Sequence, residues 1–325
     1  DARARGVSGP AASGPAYAEP RAVGDIADCH FYHSMDIAGA GEVTGDWDLR
    51  GGEDAYLGRV DLVGARVLEI GPASGFLTFH MESRGAEVVA VELAPDADWD
   101  VVPQAGLDLD TIVRDRRAIM ERLRNGFWFA HERLGSRARV HHGTAYDLPA
   151  ALGRFDVAVM AAVLLHLRDP LRAVQACAGR ADCLVIADLH DPALDGVPRL
   201  RLEPTPANGV WDTWWWVSPA AVVQFCGVLG FTDVTVTHHD QRFIGGPPMA
   251  VFLRLLFVSL IVGALLVWLD IRPFEIFNAL QRFINRLWAM GWGAVRDVAQ
   301  YVLAGAMIVL PVWFVMRLFN MRGAK

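Results

Sequence analysis

A strand, a glycine-containing turn and a helix are predicted in direct succession at residues 65–84, and this unit constrains the fold most strongly. Residues 65–70 (ARVLEI) form the short apolar run expected of a buried strand. The turn GPASG follows at residues 71–75, and residues 76–84 have the spacing of a helix. A buried strand that leads into a helix in this way is typical of an α/β fold.

The same alternation continues along the chain. The pattern predicts strands at residues 65–70, 87–93, 137–142, 155–162, 182–189 and 231–238. It predicts helices at residues 76–84, 107–134, 170–180 and 218–229. Strands separated by helices pair in parallel, so the expected fold is α/β, with a Rossmann-like, doubly wound and mostly parallel sheet.

Several segments lie outside this alternation. Residues 1–24 are rich in Ala, Gly and Pro and are predicted to form a disordered arm. Residues 25–58 carry aromatic and polar side chains and are interpreted as a lid or substrate-binding segment, ahead of a main domain over residues 59–250. Residues 191–217 are a long connection with the run VWDTWWW, and connections of this length are usually lids or binding loops.

The C-terminal part of the chain has a different composition, which explains the positive mean hydropathy of +0.26. Residues 250–269 carry one charge, and residues 301–316 form a second apolar run. The first run is long enough to cross a bilayer core of about 30 Å. We therefore predict an α-helical membrane hairpin over residues 251–325, with membrane contact through residues 250–319; a buried hairpin that caps the sheet is the alternative.

The charge distribution argues against a nucleic-acid partner. The chain has a net charge of −7, although residues 251–325 alone carry eight basic and three acidic side chains. The main domain is therefore acidic, which opposes binding to a phosphate backbone. The four cysteines lack the paired spacing of a metal site, so no metal is expected and a reduced compartment is the default.

The turn at residues 71–75 favours a cofactor without phosphates. A dinucleotide site needs a second glycine at the position that Ala73 occupies. Glu69 precedes the turn and Glu92 ends the next predicted strand, where it could accept both ribose hydroxyls. Two acids suit a cationic cofactor better than a pyrophosphate. A pair of turn glycines with a solvated glutamate is the alternative.

The sequence ExGxxxG at residues 69–75, the acid Glu92 and the turn GTAYDLP at residues 143–149 together resemble class I S-adenosylmethionine (SAM)-dependent methyltransferases. The resemblance covers roughly residues 25–250. It implies that Glu69, Gly71 and Gly75 line the methionine side of SAM. By the same resemblance Glu92 binds the ribose, and Asp147 and Tyr146 flank the adenine. The implied cofactor-binding residues are Glu69, Gly71, Pro72, Ala73, Ser74, Gly75, Glu92, Tyr146, Asp147 and Ala162.

Two looser resemblances concern the partners. The sequences FYHS at 31–34, WDLR at 47–50 and VLLH at 163–166 are similar to the group related to tRNA wobble-uridine methyl- and carboxymethyl-transferases. Residues 251–325 resemble a small two-helix bacterial membrane domain of unknown function. The C-terminal domain implies an anchor in the bacterial inner membrane, and the need for SAM implies that the catalytic domain is cytoplasmic.

Candidate catalytic residues are histidines close to predicted strand ends or in the N-terminal segment. His33, His166 and His190 could each act as the base for an oxygen or nitrogen acceptor. Cofactor packing is the alternative for His166, and a solvent-facing turn is the alternative for His190. The candidate substrate-binding residues are Tyr32, Trp47, Arg50, Trp211 and Trp214.

The roles of these substrate residues stay open between binding and packing. Arg50 could clamp a carboxylate or phosphate, or form a salt bridge with Asp48. The tryptophans could stack on a planar acceptor, or pack a lid against the sheet. The expected activity is SAM-dependent methyl transfer, by O-methylation, to a small-molecule, lipid-linked or glycan acceptor. Modification of a tRNA base, or a non-catalytic SAM-binding scaffold at a membrane, are the alternatives.

Overall fold

The computed structural model describes residues 17–239 and the backbone of residues 242 and 243. The chain divides into two compact units, residues 1–246 and 247–325, and the described residues belong to the first unit. The predicted hairpin at residues 251–325 lies outside the described residues, so it stays a prediction. Within the described part, none of the helices combines the length and the apolar character that crossing a bilayer requires.

The N-terminal segment forms small antiparallel pairs before the main sheet begins. Strand β1 (Met35–Ile37) pairs with β2 (Gly41–Val43), and β3 (Trp47–Asp48) is followed by the short helix α1 (Glu53–Tyr56). This segment contributes Phe31, Met35 and Ile37 to the buried core. The region predicted as a lid is therefore also part of the packing of the domain.

A five-stranded parallel sheet forms the centre of the domain. Its strands are β4 (Arg66–Ile70), β5 (Glu87–Glu92), β6 (Arg139–His142), β7 (Phe155–Ala161) and β8 (Ala181–Ala187). They lie in the order β6-β5-β4-β7-β8, all in parallel. The chain winds outward in both directions from the neighbours β4 and β7, which confirms the predicted α/β fold with a parallel sheet.

Helices connect the strands and cover the sheet. They are α2 (Phe76–Ser83), α3 (Leu109–Leu134), α4 (Pro170–Ala178) and α5 (Pro219–Val228). Each of the last three begins at a side chain that accepts a backbone N–H of the first turn: Asp108, Asp169 and Ser218. Such caps satisfy N–H groups that have no partner within the helix, so the sequence fixes where these helices start.

The core has one cluster of buried side chains on each face of the sheet. Alternate residues of a strand point to opposite faces, so Val67 joins the cluster with α2 and α3 whereas Leu68 joins the cluster with α4. Both side chains are fully buried. The two-sided packing explains why the central strands are almost continuously apolar.

The prediction of a sixth strand at residues 231–238 is wrong. These residues have no strand conformation, and most of their side chains are exposed, including Val234 and Val236. Two short antiparallel strands form elsewhere: β9 (Leu200–Leu202) pairs with β10 (Trp215–Val217), inside the connection predicted as a lid. The alternation of apolar and polar residues at 231–238 is a local pattern, whereas a strand also needs a neighbour with free backbone groups.

The short strand β11 (Arg242–Phe243) pairs with β3 in antiparallel orientation, which returns the end of the described chain to the N-terminal segment. At the β6 edge of the main sheet, the N–H of Ala18 donates to the carbonyl of Val140 (2.7 Å). Residues 17 and 18, within the arm predicted as disordered, therefore contact the sheet.

Candidate active site

A cavity of about 320 Å³ lies at the carboxyl ends of β4, β5 and β7. Ligands in open α/β sheets bind at this edge, where the winding direction changes. Ten predicted site residues line the cavity: Tyr32, His33, Glu69, Gly71, Pro72, Ala73, Glu92, Tyr146, Ala162 and His166. The volume is at the lower end of the range of about 300–1,000 Å³ for small-molecule sites.

The glycine turn brings backbone close to this cavity. Ala73 has a positive φ of 49°, which is unusual for a residue with a side chain and places its backbone against the cavity. Gly75, with φ of 88°, precedes α2, and a Cβ there would lie 2.4 Å from the Phe79 ring. Gly75 therefore serves close packing, whereas Ala73 lines the site.

Glu69 is a buried acid near the end of β4. Its side chain is 3 % exposed, and the hydroxyl of Thr78 donates a hydrogen bond to it. Burial raises the pKa of Glu69 to about 7, while the bond from Thr78 opposes that rise. Near pH 7 the carboxyl is therefore partly protonated, and a cationic ligand would stabilise its charged form.

Glu92 is the last residue of the adjacent strand β5, two residues beyond the register partner of Glu69. One carboxylate oxygen accepts the N–H of Leu93 (2.8 Å). Burial raises the pKa of Glu92, and the hydrogen bond from Leu93, the charges of Arg124 and Arg116 and a hydrogen bond from Ala73 limit the rise. The carboxylate is held by backbone N–H groups and faces the cavity with acceptor capacity for ligand hydroxyls.

Of the two residues predicted to flank the adenine, one lines the cavity and the other does not. Tyr146 lines the cavity, and its hydroxyl donates to the carboxylate of Asp100. Burial and this bond raise the pKa of Tyr146 to about 12. Asp147 is exposed and does not line the cavity. The turn at residues 143–149 thus contributes its tyrosine to the wall, and the role predicted for Asp147 stays a prediction.

The N-terminal segment reaches the glycine turn through Tyr32. The backbone N–H of Tyr32 donates to the hydroxyl of Ser74 (2.9 Å), which is itself buried. The next residue, His33, lines the cavity with its ring 5.2 Å from that of Phe76. Burial lowers the pKa of His33 to about 4, so its imidazole is neutral near pH 7. Ser74 positions the wall rather than lining it.

His166 lies in a short 3-10 turn (Leu164–His166) after β7. Its Nδ1 is 2.5 Å from the carbonyl oxygen of Asp212, and since a carbonyl only accepts, Nδ1 carries the proton. The neutral ring then has its lone pair on Nε2. Burial lowers the pKa of His166, and the contact with Asp212 works against that decrease. A neutral, oriented imidazole in the cavity wall has the properties of a general base.

Three further predicted residues, from the catalytic and substrate-binding sets, also lie outside the cavity. His190 is exposed, and its Nε2 is 2.7 Å from Oδ1 of Asp195. Arg50 forms surface ion pairs with Asp48 and Glu42. Trp47 lies in β3, where it pairs with Phe243 of β11. His190 thus matches its alternative of a solvent-facing turn, and Arg50 matches its alternative of a salt bridge with Asp48.

Residues 211–214 of the Trp-rich connection, which we call the strap, are hydrogen-bonded to two walls of the cavity. The indole N–H of Trp214 donates to the carbonyl of Asp100 (2.6 Å), and its backbone N–H donates to Leu165 (2.7 Å). The carbonyl of Trp211 accepts the N–H of Val102 (2.8 Å). Trp211 and Trp214 do not line the cavity, so they act through the residues that they hold.

Several lining residues have no signal in the sequence pattern. They are Tyr56 from α1, Asp98, Trp99 and Asp100 from the loop after β5, and Arg116 from α3. Asp188 accepts N–H groups of Leu165 (3.1 Å) and Leu189, which fixes the turn that carries His166. The length of the loop at residues 93–108, directly after the Glu92 strand end, was the feature that could have indicated part of this set.

Two family models match the chain. Residues 53–225 match a model described as "Methyltransferase domain", which covers more than half of the sequence. Residues 287–322 match a model described as "Domain of unknown function". The first match contains Glu69, the glycine turn, Glu92 and His166, and it excludes Tyr32 and His33.

Curated relatives resemble part of the chain. The Ubiquinone biosynthesis O-methyltransferase of Xanthomonas oryzae pv. oryzae (strain PXO99A) is 32% identical over 125 residues, which are 38% of this chain and 42% of the relative. The protein of the same name from Marinobacter nauticus is 29% identical over 120 residues, 37% of this chain and 41% of the relative. The chain thus matches about two fifths of the length of these relatives.

Solved structures include distant likenesses. The N-terminal domain of EvdMO1, crystallised with SAH and D-fucose, has 20% sequence identity and a TM-score of 0.45, covering 65% of this chain and 85% of that one. The 1,6-didemethyltoxoflavin-N1-methyltransferase of Burkholderia thailandensis has 19% identity and a TM-score of 0.37, covering 56% and 67%.

Proposed function

This chain belongs to the methyltransferase domain family, and from that premise we propose that it transfers a methyl group from SAM to a hydroxyl oxygen of a small-molecule acceptor. The observation that carries the proposal is the single cavity that contains both buried carboxylates, Glu69 and Glu92, and the oriented imidazole of His166. The carboxylates would hold the cofactor, and the imidazole would serve the acceptor.

The donor set of the cavity fits SAM. SAM carries an ammonium group, a sulfonium and ribose hydroxyls, all of which pair with carboxylate oxygens. Glu69 and Glu92 are acceptors when ionised, and two such groups at adjacent strand ends would repel a pyrophosphate. The positive φ of Ala73 keeps backbone rather than a large side chain against the ligand.

The residues of this chain would contribute alignment and proton transfer. When bound, SAM supplies an electrophilic methyl group on sulfur. His166 Nε2 would accept the hydroxyl proton as the acceptor oxygen forms its bond to the methyl carbon and the carbon–sulfur bond breaks. Positioning of the two reactants can supply about 7–11 kcal/mol, because their translational and rotational freedom is lost on binding. Tyr32, His33 and Tyr56 enclose the space for the acceptor with largely neutral groups.

An oxygen acceptor is supported by the neutral imidazole of His166, because a hydroxyl must lose its proton during methylation. The relatives that share part of this sequence are named O-methyltransferases. A tRNA acceptor is less well supported, because the cavity wall carries three acids, at the end of β5 and in the loop that follows it: Glu92, Asp98 and Asp100. Acidic walls repel phosphate groups.

The cytoplasmic location and the anchor in the inner membrane remain part of the proposal. They rest on the apolar runs of residues 250–319, which lie outside the described residues. A lipid-linked acceptor would be consistent with such an anchor, whereas a soluble acceptor would not require it.

The test is a titration of the full chain with SAM by calorimetry, followed by transfer of labelled methyl groups to aqueous and lipid extracts. We expect saturable binding that Glu92→Gln weakens by about 10-fold to 100-fold, because hydrogen bonds to a charged group are lost. Glu132→Gln is the matched control, since this glutamate is exposed on α3 and does not line the cavity. SAM binding without any methyl transfer would favour the scaffold alternative, and no binding would refute the enzyme.

A further inference from the structure

Arg116 is a cationic residue in the cavity wall that has no ion-pair partner within residues 17–239. It lies on α3, whose neighbouring arginines are engaged. Arg117 pairs with Asp98, and Arg124 pairs with Glu121 (2.9 Å). The contact that Arg116 makes is with the Trp211 ring, whose centroid is 6.0 Å from the guanidinium carbon.

Arg116 is half-buried, whereas Arg114 and Arg117 on the same helix are exposed. Its charge reaches several groups in the cavity. Burial is the main cause of the altered pKa of Glu92, Tyr32 and His166, and Arg116 lowers the pKa of each. The guanidinium therefore lies within electrostatic range of the ribose carboxylate, the N-terminal wall and the candidate base.

Two acids that share the cavity wall with Arg116 are already paired with other groups. Asp98 is paired with Arg117. Asp100 accepts the hydroxyl of Tyr146 and the backbone N–H of Arg168 (2.7 Å). Among the described residues Arg116 thus has no carboxylate partner, and a ligand carboxylate could fill that role.

We propose that Arg116 binds a carboxylate of the acceptor, so that the acceptor is a hydroxylated carboxylic acid. This inference rests on the proposed function, because it names the substrate class of the same site. A carboxylate fits the planar fork of one guanidinium and brings a single negative charge. A doubly charged phosphate would exceed the one positive charge available and would face Glu92 as well.

The position of Arg116 assigns it to the acceptor rather than to the carboxylate of SAM. Arg116 lies over the Trp211 ring, and the carbonyl of the next residue, Asp212, accepts the Nδ1–H of His166 (2.5 Å). Arg116 is therefore linked through the strap to the turn that carries His166, beside which the acceptor hydroxyl would lie. The carboxylate and the reacting hydroxyl would then be held from opposite ends of the same molecule.

The experiment compares acids with their neutral amides. The full chain, saturated with S-adenosylhomocysteine, is titrated by calorimetry with dihydroxybenzoate and hydroxycinnamate and with the corresponding amides. We expect at least one acid to bind about 10-fold to 100-fold more tightly than its amide, and Arg116→Gln to remove that preference. Arg114→Gln, with a side chain that is 70% exposed, is the matched control and should keep it.

Three results would overturn the inference: no acid that binds more tightly than its amide, a preference that survives in Arg116→Gln, or a loss of SAM affinity in Arg116→Gln of tenfold or more. The last result would place Arg116 on the cofactor. Selective binding of an acid that depends on Arg116, but without methyl transfer to any acceptor, would count against the proposed function and leave the carboxylate site supported.

Discussion

The two ends of the cavity are built in different ways. At the proposed cofactor end, Glu69 and Glu92 lie on adjacent strands, and each side chain accepts a hydrogen bond from a group within ten residues of it in the chain. At the acceptor end, His166 is oriented by Asp212, and the walls come from Tyr32 and Tyr56 near the start of the chain. One end depends on local sequence, and the other depends on contacts between segments far apart in the chain.

This difference has a consequence for specificity. Strand ends in a packed parallel sheet have little freedom, so the cofactor end keeps its geometry when the loops change. The acceptor end consists of the N-terminal segment and the strap, both of which are held by a few hydrogen bonds. Substitutions there should alter the acceptor or the rate while SAM binding is retained.

His166→Gln should have the largest effect, on the acceptor end alone. Loss of a general base reduces kcat by about 100-fold to 10,000-fold. The SAM affinity should change by less than about threefold, because His166 lies outside the set of buried carboxylates. Rapid-quench kinetics and calorimetry separate the two. In His190→Gln, whose side chain is paired with Asp195 outside the cavity, kcat should stay near the wild-type value; an equal loss in both variants would contradict the assignment.

Gly75→Ala should lower the stability of the protein, because it disturbs the packing beside the cofactor end. The new Cβ would lie 2.4 Å from the Phe79 ring and 2.9 Å from that of Phe127, in a backbone conformation with positive φ. We expect a decrease of about 2–4 kcal/mol in the free energy of unfolding, measured with denaturant and tryptophan fluorescence. Gly106→Ala has a positive φ but open space around it, so it should cost about 1 kcal/mol. Equal losses would mean that packing at Gly75 is unimportant.

The pH dependence of SAM binding sharpens the comparison further. Burial raises the pKa of Glu69 to about 7, so the carboxyl is protonated below that pH and charged above it. A cationic ligand favours the charged form. The Kd for SAM should therefore rise as pH falls below about 7, approaching tenfold per pH unit.

Glu69→Gln should show weaker binding with a flatter pH dependence, which calorimetry at several pH values would measure. Burial also raises the pKa of Glu92, so this residue contributes a dependence of the same sign. A wild-type Kd that is constant between pH 5.5 and about 8 would contradict the buried-carboxylate description of this end.

Trp214→Phe should have the smallest effect, because it removes one hydrogen bond between the strap and the loop of Asp100. A single bond of this kind is worth about 1 kcal/mol, which corresponds to about fivefold weaker acceptor or SAM binding. Trp216→Phe is the matched control, since the indole N–H of Trp216 has no hydrogen-bond partner among the described residues. Identical constants for the two variants would show that the strap does not position the site.

The main sheet and the cofactor class were predictable from the sequence. The apolar runs that became β4, β5 and β7 are bounded by turns, and their period distinguishes them from the helices. The predicted class of SAM-dependent methyltransferase is confirmed by the family match over residues 53–225. The predicted strand at 231–238 was wrong, because period alone does not supply a pairing partner.

The acceptor residues were only partly predictable. His166 follows from its place beside a strand end and His33 from its place in the aromatic N-terminal segment, and both line the cavity. Tyr56, Arg116 and Asp188 gave no signal, because each lies in a segment whose local pattern is that of an ordinary helix or strand end.

By itself the sequence determined the individual strands of the sheet, the helix caps and the pair of acids beside a glycine turn, since these follow from patterns that are local in the chain. The tertiary structure decided which side chains share the cavity. It placed Arg116 inward and paired the adjacent Arg117 with Asp98, and it placed Trp214 behind the wall rather than in it. The physical reason is that the rotation of a helix and the path of a long connection are set by packing against distant segments.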